Sequence, residues 1–230
     1  MEFHGINKLS LLDYPGHLAC TLFTGHCNFR CPFCHNASLV LHPDTEPIIE
    51  INDILHFLEK RAGVLEGICI TGGEPTLQPD LLDFMKDCKA LGYLIKLDTN
   101  GTRPDVLEKL LSAGLPDAFA MDIKNCRENY AKTAGVPSLK LSAIEDSISI
   151  IRNSGKAYEF RTTVVRELHT PEDIQKIGEW LLGSPFYALQ TFTDSGDILA
   201  DGMSAYNADE MNHLREVAMP FFDTVVVRGV

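Results

Sequence analysis

The sequence predicts an α/β protein built as a partial (β/α)6 parallel barrel, and two observations carry this prediction. Apolar runs of strand length alternate with stretches of helical periodicity along nearly the whole chain. The strands are continuously apolar, which is typical of a parallel sheet covered by helices. About six strand–helix units fall short of the eight that close a barrel, so we expect an open barrel, with a flat doubly wound sheet as the alternative.

The elements alternate in order, beginning with a strand that runs into a cysteine loop at 25–36. Proline is favoured in the first turn of a helix, so Pro79 and Pro104 are expected to begin helices. Apolar runs predict strands near 17–24, 66–71, 93–98, 118–123, 158–165, 186–192 and 223–228. Apolar spacing of three and four residues predicts helices near 50–62, 79–91, 104–113, 140–154, 171–182 and 207–218. The segment 194–206, rich in Asp, Gly and Ser, is predicted to be an interrupting loop. No linker divides the chain, so residues 1–230 are expected to form a single domain.

Composition and charge exclude several classes of protein. An apolar content of 45% over 230 residues is enough for a sizeable core. The 32 acidic residues outnumber the 20 basic ones, giving a net charge of -12, and no Lys/Arg run could neutralise a row of phosphates. The first residues lack the pattern of a secretion signal, and no apolar stretch is long enough to cross a bilayer. We therefore expect a cytoplasmic protein with neither nucleic acid nor a membrane as its partner.

The seven cysteines are an odd number in a chain that needs no disulfide framework, so their thiols are expected to be ligands or core filling. Cys20 and Cys69 lie in apolar runs, where a free thiol behaves as a small buried hydrophobe. Cys88 stands at helical spacing with apolar neighbours, which favours core packing. Cys126 is interpreted as a loop thiol.

The strongest chemical signal is the Cys-x3-Cys-x2-Cys run of Cys27, Cys31 and Cys34, on the loop after the first predicted strand. Three thiolates this close together can bind three irons of a 4Fe-4S cluster, which leaves the fourth iron open to a substrate or cofactor. The polar residues Asn28 and Arg30 lie between them and argue against thiols that serve only as core.

Zinc is the alternative metal for this loop, with His26 or His35 as a fourth ligand. Structural zinc sites usually recruit a second pair of ligands farther along the chain, and none is visible in the sequence. A zinc-bound interaction module without catalysis therefore remains a hypothesis of a different class.

The cysteine spacing, with an aromatic residue just before the last cysteine, resembles the signature of the radical S-adenosylmethionine (radical SAM) superfamily. The string 31–36, Cys-Pro-Phe-Cys-His-Asn, is similar to that of its glycyl-radical-enzyme activating branch. Within that branch the chain resembles the anaerobic ribonucleoside-triphosphate reductase activating proteins. The resemblance extends from 9–16 to 225–229 and so covers most of the chain. It implies the partial barrel of the radical SAM type, with a 4Fe-4S cluster on the three cysteines and S-adenosylmethionine as the second cofactor.

Further candidate residues follow the predicted strands, at the ends where parallel barrels place their sites. The resemblance implies that the turn Gly72-Gly73-Glu74 holds the methionine ammonium group, although the same residues also suit an ordinary strand-to-helix turn. Asp98 and Asn100 follow the next strand and match a string at the edge of the cofactor site in activases, where Asn-Gly alone indicates only a turn.

Two later strands end in charged residues. Asp122 and Lys124 share a face because side chains alternate along a strand, and they resemble the Asp-x-Lys pair that activases direct at the methionine part of the cofactor. A plain ion pair is the alternative. Arg161 or Arg166, near the end of the following strand, could bind a carboxylate bidentately.

The resemblance implies a reaction and partners. An electron from a flavodoxin or ferredoxin-type donor cleaves S-adenosylmethionine, and the 5'-deoxyadenosyl radical takes a hydrogen atom from a glycine of an anaerobic ribonucleotide reductase. Many activases carry Gly-Pro-Gly and then arginine before the first strand, whereas this chain has Tyr14-Pro15-Gly16-His17, so the partner stays open. The alternative is a radical SAM enzyme acting on a small molecule, such as a 7-carboxy-7-deazaguanine-type synthase.

Overall fold

The computed structural model describes residues 1–194 and 196–229, in which eight strands form one sheet. The strands are β1 Phe3–Ser10, β2 Ala19–Thr24, β3 Gly67–Gly72, β4 Leu94–Thr99, β5 Ala118–Asp122, β6 Ala157–Val164, β7 Ser184–Thr191 and β8 Phe222–Arg228. The α-helices are α1 Ala37–Leu41, α2 Ile51–Arg61, α3 Leu81–Ala90, α4 Pro104–Ser112, α5 Tyr130–Thr133, α6 Leu141–Asn153, α7 Pro171–Trp180 and α8 Ala208–Ala218.

The order of the strands in the sheet follows their order in the chain. β1 pairs antiparallel with β2, and β2 to β8 are parallel to one another. β1 and β8 are the two edges, so the sheet does not close within the described residues. The predicted partial parallel barrel is confirmed, and each of the seven predicted strands and six predicted helices is present. The seven parallel strands place their carboxyl ends at one edge of the barrel.

Local sequence explains where the elements begin and end. α4 begins at Pro104, whose fixed φ suits the first helical position, as predicted. α7 and α8 each begin with a capping box, in which the N-cap and the third helical residue exchange side-chain-to-backbone hydrogen bonds. These pairs are Thr170 and Asp173 in α7 and Asn207 and Glu210 in α8.

A tyrosine closes the amino end of the barrel. Tyr14 is buried against the first residues of parallel strands, Ala19 of β2, Ala118 of β5 and Leu94 of β4. A Cβ atom at Gly67, the first residue of β3, would lie 2.8 Å from the ring of Tyr14, so only glycine leaves room for it. The large core lies between the sheet and the helices and runs from β1 to β8. Tyr14 therefore fills space at the amino ends of these strands.

Three features differ from the sequence-based expectations. β1 was not predicted, because its residues are mostly half-buried or exposed and show no alternation of apolar and polar side chains. α3 begins at Leu81 after an N-cap at Asp80, so Pro79 precedes the helix instead of occupying its first turn. The short helices α1 and α5 were also missed, since four or five residues carry too little periodicity to detect.

The remaining expectations on the fold can be compared directly. Cys20, Cys69 and Cys88 are buried in the core, as predicted, and Cys126 is a buried loop thiol that donates to Asp173 at 3.2 Å. The predicted loop 194–206 contains no helix or strand in its described part; Ser195 lies outside the described residues. None of the described helices has the length and apolar character needed to cross a membrane.

Candidate functional site

A cavity of about 240 Å³ lies at the carboxyl ends of the parallel strands. Its lining contains eleven of the residues that the sequence analysis selects: Cys27, Cys31, Cys34, Gly72, Gly73, Glu74, Asp98, Asn100, Asp122, Lys124 and Arg161. They come from the loop after β2 and from β3, β4, β5 and β6 or the turns that follow them. The fold thus brings these eleven residues to one place, although the chain separates the first from the last by more than half its length.

The cysteine loop, residues 25–36, is held on one side by the turn after β3, residues 71–75, which we call the glycine turn. Gly73 donates from its N–H to the carbonyl of Thr24 at 2.8 Å, and Glu74 donates to the carbonyl of His26 at 2.8 Å. A Cβ atom at Gly73 would collide with the His26 carbonyl, and one at Gly72 would collide with the backbone of Thr24. These glycines therefore permit close approach of the backbone of Thr24 and of the cysteine loop.

The other side of the cysteine loop rests on the residues after α5. Arg30 donates from its backbone N–H to the carbonyl of Ala134 at 2.9 Å. A Cβ atom at Gly135 would collide with the Arg30 carbonyl, and this glycine has a left-handed φ of 67°. His26, with a φ of 63°, is the only non-glycine residue with a positive φ in the described residues, and it directly precedes Cys27. Main-chain contacts on both sides thus fix where the thiols lie.

The three thiols line the cavity and are held in their neutral form by burial. Burial raises the pKa of Cys27 to about 11 and that of Cys31 to about 12, and it also raises the pKa of Cys34. Such thiols are protonated at neutral pH unless a cation compensates, and iron supplies that charge when it displaces the protons. No other cysteine lines the cavity among the described residues.

The geometry also bears on the choice of metal. In the described part of the chain, no three His, Cys, Asp or Glu side chains are grouped so that they could hold a single metal ion. The zinc alternative needs such a group around one ion. A 4Fe-4S cluster takes each thiolate on a different iron, so its ligands stand farther apart. Three thiols on one loop can each bind a different iron of such a cluster.

The buried side chain of Glu74 connects the glycine turn to the end of β4. Its carboxylate accepts hydrogen bonds from the Thr99 hydroxyl at 2.8 Å and the Asn100 N–H at 2.6 Å. The hydroxyl and N–H of Thr76 donate to the same carboxylate. Burial raises the pKa of Glu74, and these hydrogen bonds oppose the shift. The side chain therefore ties two strand ends together at the cavity wall.

Five charged side chains form a continuous row across three strands, which we call the charge row: Lys96, Asp98, Arg161, Asp122 and Lys124. Lys96 contacts Asp98 at 2.6 Å, and Arg161 contacts Asp98 at 3.0 Å. Arg161 also contacts Asp122 at 2.5 Å, and Lys124 contacts Asp122 at 3.1 Å. Each carboxylate thus lies between two cations, and three cations face two carboxylates.

Electrostatics keep the charge row ionised. Burial alone would raise the pKa of Asp98 and Asp122, but Arg161 and the neighbouring lysines hold both well below their usual range. Burial would lower the pKa of Lys124, yet the charge of Asp122 outweighs it and raises that pKa. The charge of Lys124 in turn lowers the pKa of the three cysteines against the effect of burial, so its ammonium group lies near them.

Several residues of the site were missed by sequence analysis. Asp13, Thr163 and Gln190 also line the cavity, as does His35, which sequence analysis considered only as a zinc ligand. Thr163 and Gln190 face it from the ends of β6 and β7, where position on a strand end was the only available signal. Conversely, Arg166 is not in the cavity lining; its guanidinium pairs with Glu210.

An open parallel barrel that carries three thiols on one loop and a paired charge row beside them defines a class of enzyme. Such a site suits an iron–sulfur cluster next to a polar, charged ligand. The aromatic rings of Phe29 and Phe33 line the same cavity and limit the access of water.

Comparison with known proteins gives the family. The family model of the Radical SAM superfamily matches residues 21–181, more than half of the chain. MJ1227 of Methanocaldococcus jannaschii, named provisionally as a glycyl-radical enzyme activating enzyme, is 32% identical over 98% of this chain and 95% of its own. A pyruvate formate-lyase-activating enzyme of Listeria monocytogenes is 28% identical over 79% of this chain and 76% of its own. Streptococcus suis SuiB shares the fold, with a TM-score of 0.72 and 14% identity over 91% of this chain and 48% of the SuiB chain.

The chain therefore belongs to the radical SAM superfamily and is homologous to activating enzymes of glycyl-radical enzymes. As a radical SAM enzyme it uses a 4Fe-4S cluster and S-adenosylmethionine.

Proposed function

We propose that this protein installs a glycyl radical on a partner polypeptide, that the partner is an anaerobic ribonucleotide reductase, and that a flavodoxin or ferredoxin-type protein donates the electron. The observation that carries the proposal is the 32% identity to MJ1227, because the match extends over nearly the whole of both chains instead of the cysteine motif alone. The choice of a reductase rests on the resemblance of the chain, from 9–16 to 225–229, to reductase activating proteins.

Cys27, Cys31 and Cys34 are the proposed cluster ligands. When bound, the cluster supplies the electron that splits S-adenosylmethionine into methionine and the 5'-deoxyadenosyl radical, which takes a hydrogen atom from the glycine. The protein binds and orients the reactants and keeps water away from them.

The charge row supports binding of a ligand that carries a carboxylate, as the methionine part of S-adenosylmethionine does. Its cations Arg161 and Lys124 both line the cavity, where they can face such a carboxylate. Lys124 is the proposed partner of that carboxylate, because it lines the cavity and lies near the three thiols. Asp122 holds the Lys124 ammonium group in place at 3.1 Å.

Isotope transfer tests this proposal directly. A candidate reductase from the same genome is produced with glycine deuterated at the α carbon, then mixed anaerobically with the reduced, reconstituted protein and S-adenosylmethionine. We expect deuterium in the 5'-deoxyadenosine and the signal of a glycyl radical in the electron paramagnetic resonance spectrum of the reductase. A reductase whose radical-site glycine is replaced by alanine is the matched control and should give neither.

Formation of 5'-deoxyadenosine without deuterium, and without a protein radical, would contradict the reductase as substrate. Failure to form 5'-deoxyadenosine at all is a different result and would contradict the radical SAM chemistry itself.

A further inference from the structure

The amide of Asn100 points at a cluster cysteine. Its Nδ2 lies 3.8 Å from the Cys27 sulfur, within the longer range that a sulfur acceptor allows, and 2.8 Å from the side-chain oxygen of Asn28. The backbone N–H of Phe29 also donates to the Cys27 sulfur, at 3.4 Å. Cys27 thus faces two N–H donors, one from its own loop and one from the end of β4.

The orientation of the Asn100 amide is fixed by its other neighbour. The backbone N–H of Thr102 lies 3.0 Å from Asn100 Oδ1, and an N–H can only donate, so the atom that faces it must be the oxygen. The Thr102 hydroxyl donates to the same oxygen at 2.7 Å and accepts from the Asn28 amide at 2.8 Å. The opposite end of the Asn100 amide, turned towards Cys27, is therefore the NH2 group.

Asn28, Asn100 and Thr102 form a closed set of hydrogen bonds, which we call the amide triangle. One Asn100 N–H reaches Asn28 and the other is directed at the Cys27 sulfur. The backbone N–H of Asn100 is anchored on the buried carboxylate of Glu74 at 2.6 Å. Asn100 itself is buried, so water competes little for this contact.

We propose that Asn100 is a positioning residue that donates an N–H···S hydrogen bond to the Cys27 thiolate and thereby raises the reduction potential of the cluster. The proposal rests on Cys27 as a cluster ligand. Hydrogen bonds to the ligand sulfurs are among the features that set the potential of iron–sulfur clusters. The reduced cluster carries one more negative charge than the oxidised one, so a donor to its sulfur stabilises the reduced state more.

The test is the midpoint potential of the cluster, measured by anaerobic redox titration of reconstituted protein with iron content determined in parallel. In Asn100→Ala the donor is lost, and we expect a more negative midpoint. In Asn100→Asp the backbone anchor and the Thr102 contact are kept, but an oxygen replaces the NH2 group beside the sulfur. We expect a larger negative shift for the aspartate because it combines a lost donor with an added charge.

Thr102→Val provides a second, milder variant, since it removes the hydroxyl that links Asn28 and Asn100 but leaves the Thr102 backbone N–H. We expect a shift in the same direction and of smaller size. If neither Asn100 variant binds a cluster, the midpoint potential of Thr102→Val tests the proposal instead. A merely structural role for Asn100 would change iron content without moving the potential of the clusters that remain.

An unchanged midpoint potential in Asn100→Ala and Asn100→Asp, at wild-type iron content, would overturn the proposal. If neither of these variants binds a cluster, an unchanged midpoint potential in Thr102→Val would overturn it. Cys27→Ala is measured alongside them. Wild-type iron content in that variant would overturn the premise that Cys27 is a ligand. This result differs from one in which Cys27 is a ligand but Asn100 has no effect on the potential.

Discussion

The cysteine loop and the charge row, except for Lys96, contribute to the lining of the same cavity but are held there by different forces. Backbone hydrogen bonds hold the cysteine loop, from Gly73 and Glu74 on one side and to Ala134 on the other, and glycine is required where the chains touch. The charge row is held by ion pairs between its own side chains, which project from β4, β5 and β6.

This difference predicts which changes each region tolerates. A backbone contact does not depend on the charge of a side chain, but it fails when an added Cβ separates the two chains. A buried ion pair tolerates small changes in volume, but it fails when one charge is removed and its partner remains buried. Loss of iron and loss of stability should therefore come from different mutations.

The largest effect on stability is expected for Arg161→Met, which leaves Asp98 and Asp122 each with only one cation. Both carboxylates stay buried, so the free energy of unfolding should fall by about 4 kcal/mol. Urea unfolding of the protein without its cluster measures this. Arg103→Met is the matched control, because Arg103 pairs with Asp105 on the surface, where a salt bridge contributes about 1 kcal/mol or less.

The same variant should respond to pH in a defined direction. In the wild type the pKa values of Asp98 and Asp122 are lowered, so their contribution to stability is present above the unfolded pKa of about 3.9 and is lost as pH falls below it. Arg161→Met has less of this contribution to lose. The stability gap between the two proteins should therefore narrow below about pH 4, and a gap that widens there would contradict the assignment.

Gly73→Val tests the backbone contacts that hold the cysteine loop. The added side chain collides with the His26 carbonyl, so the cysteine loop must move, at a cost of about 3 kcal/mol. We expect most of the bound iron to be lost after reconstitution, measured as iron per chain. Gly92→Ala is the control: its Cβ has no atom within 4 Å, and its left-handed φ costs about 1 kcal/mol, so it should keep its iron. Equal iron in Gly73→Val and wild type would show that the backbone contact is dispensable.

A smaller effect is expected for Lys96→Met at the far end of the charge row. Asp98 keeps Arg161 as a partner, so the free energy of unfolding should fall by only about 2 kcal/mol, with iron content unchanged. Lys86→Met, which breaks an exposed pair with Asp83, should cost about 0.5 kcal/mol or less. Loss of iron in Lys96→Met would contradict the inference that the charge row and the cysteine loop are held in place independently.

The sequence predicted the parallel strands and the selected site residues because both follow local rules. Continuous apolar runs such as Ile68-Cys69-Ile70 indicate buried strands, and the polar residues that follow them gather at one edge of the sheet. β1 has no such signal, since it is an edge strand whose side chains are mostly not buried.

Contacts between residues far apart in the chain could not be predicted from local sequence. Lys96 lies within an apolar strand, and only its pairing with Asp98 on the inner face gives it a place in the charge row. Asn28 and Asn100 are 72 residues apart, and nothing local predicts that their amides meet. The glycine turn was recognised from its residues, but its close approach to His26 required the fold.

The measurement that tests the central claim most directly is 5'-deoxyadenosine formation by the anaerobically reconstituted, dithionite-reduced protein with S-adenosylmethionine. Wild type and Cys88→Ala, which alters a core thiol outside the cavity, should both form it. Cys27→Ala, Cys31→Ala and Cys34→Ala should each form none. No product from the wild type, or product from any of the three variants at the wild-type level, would contradict the assignment of these cysteines to the cluster of a radical SAM enzyme.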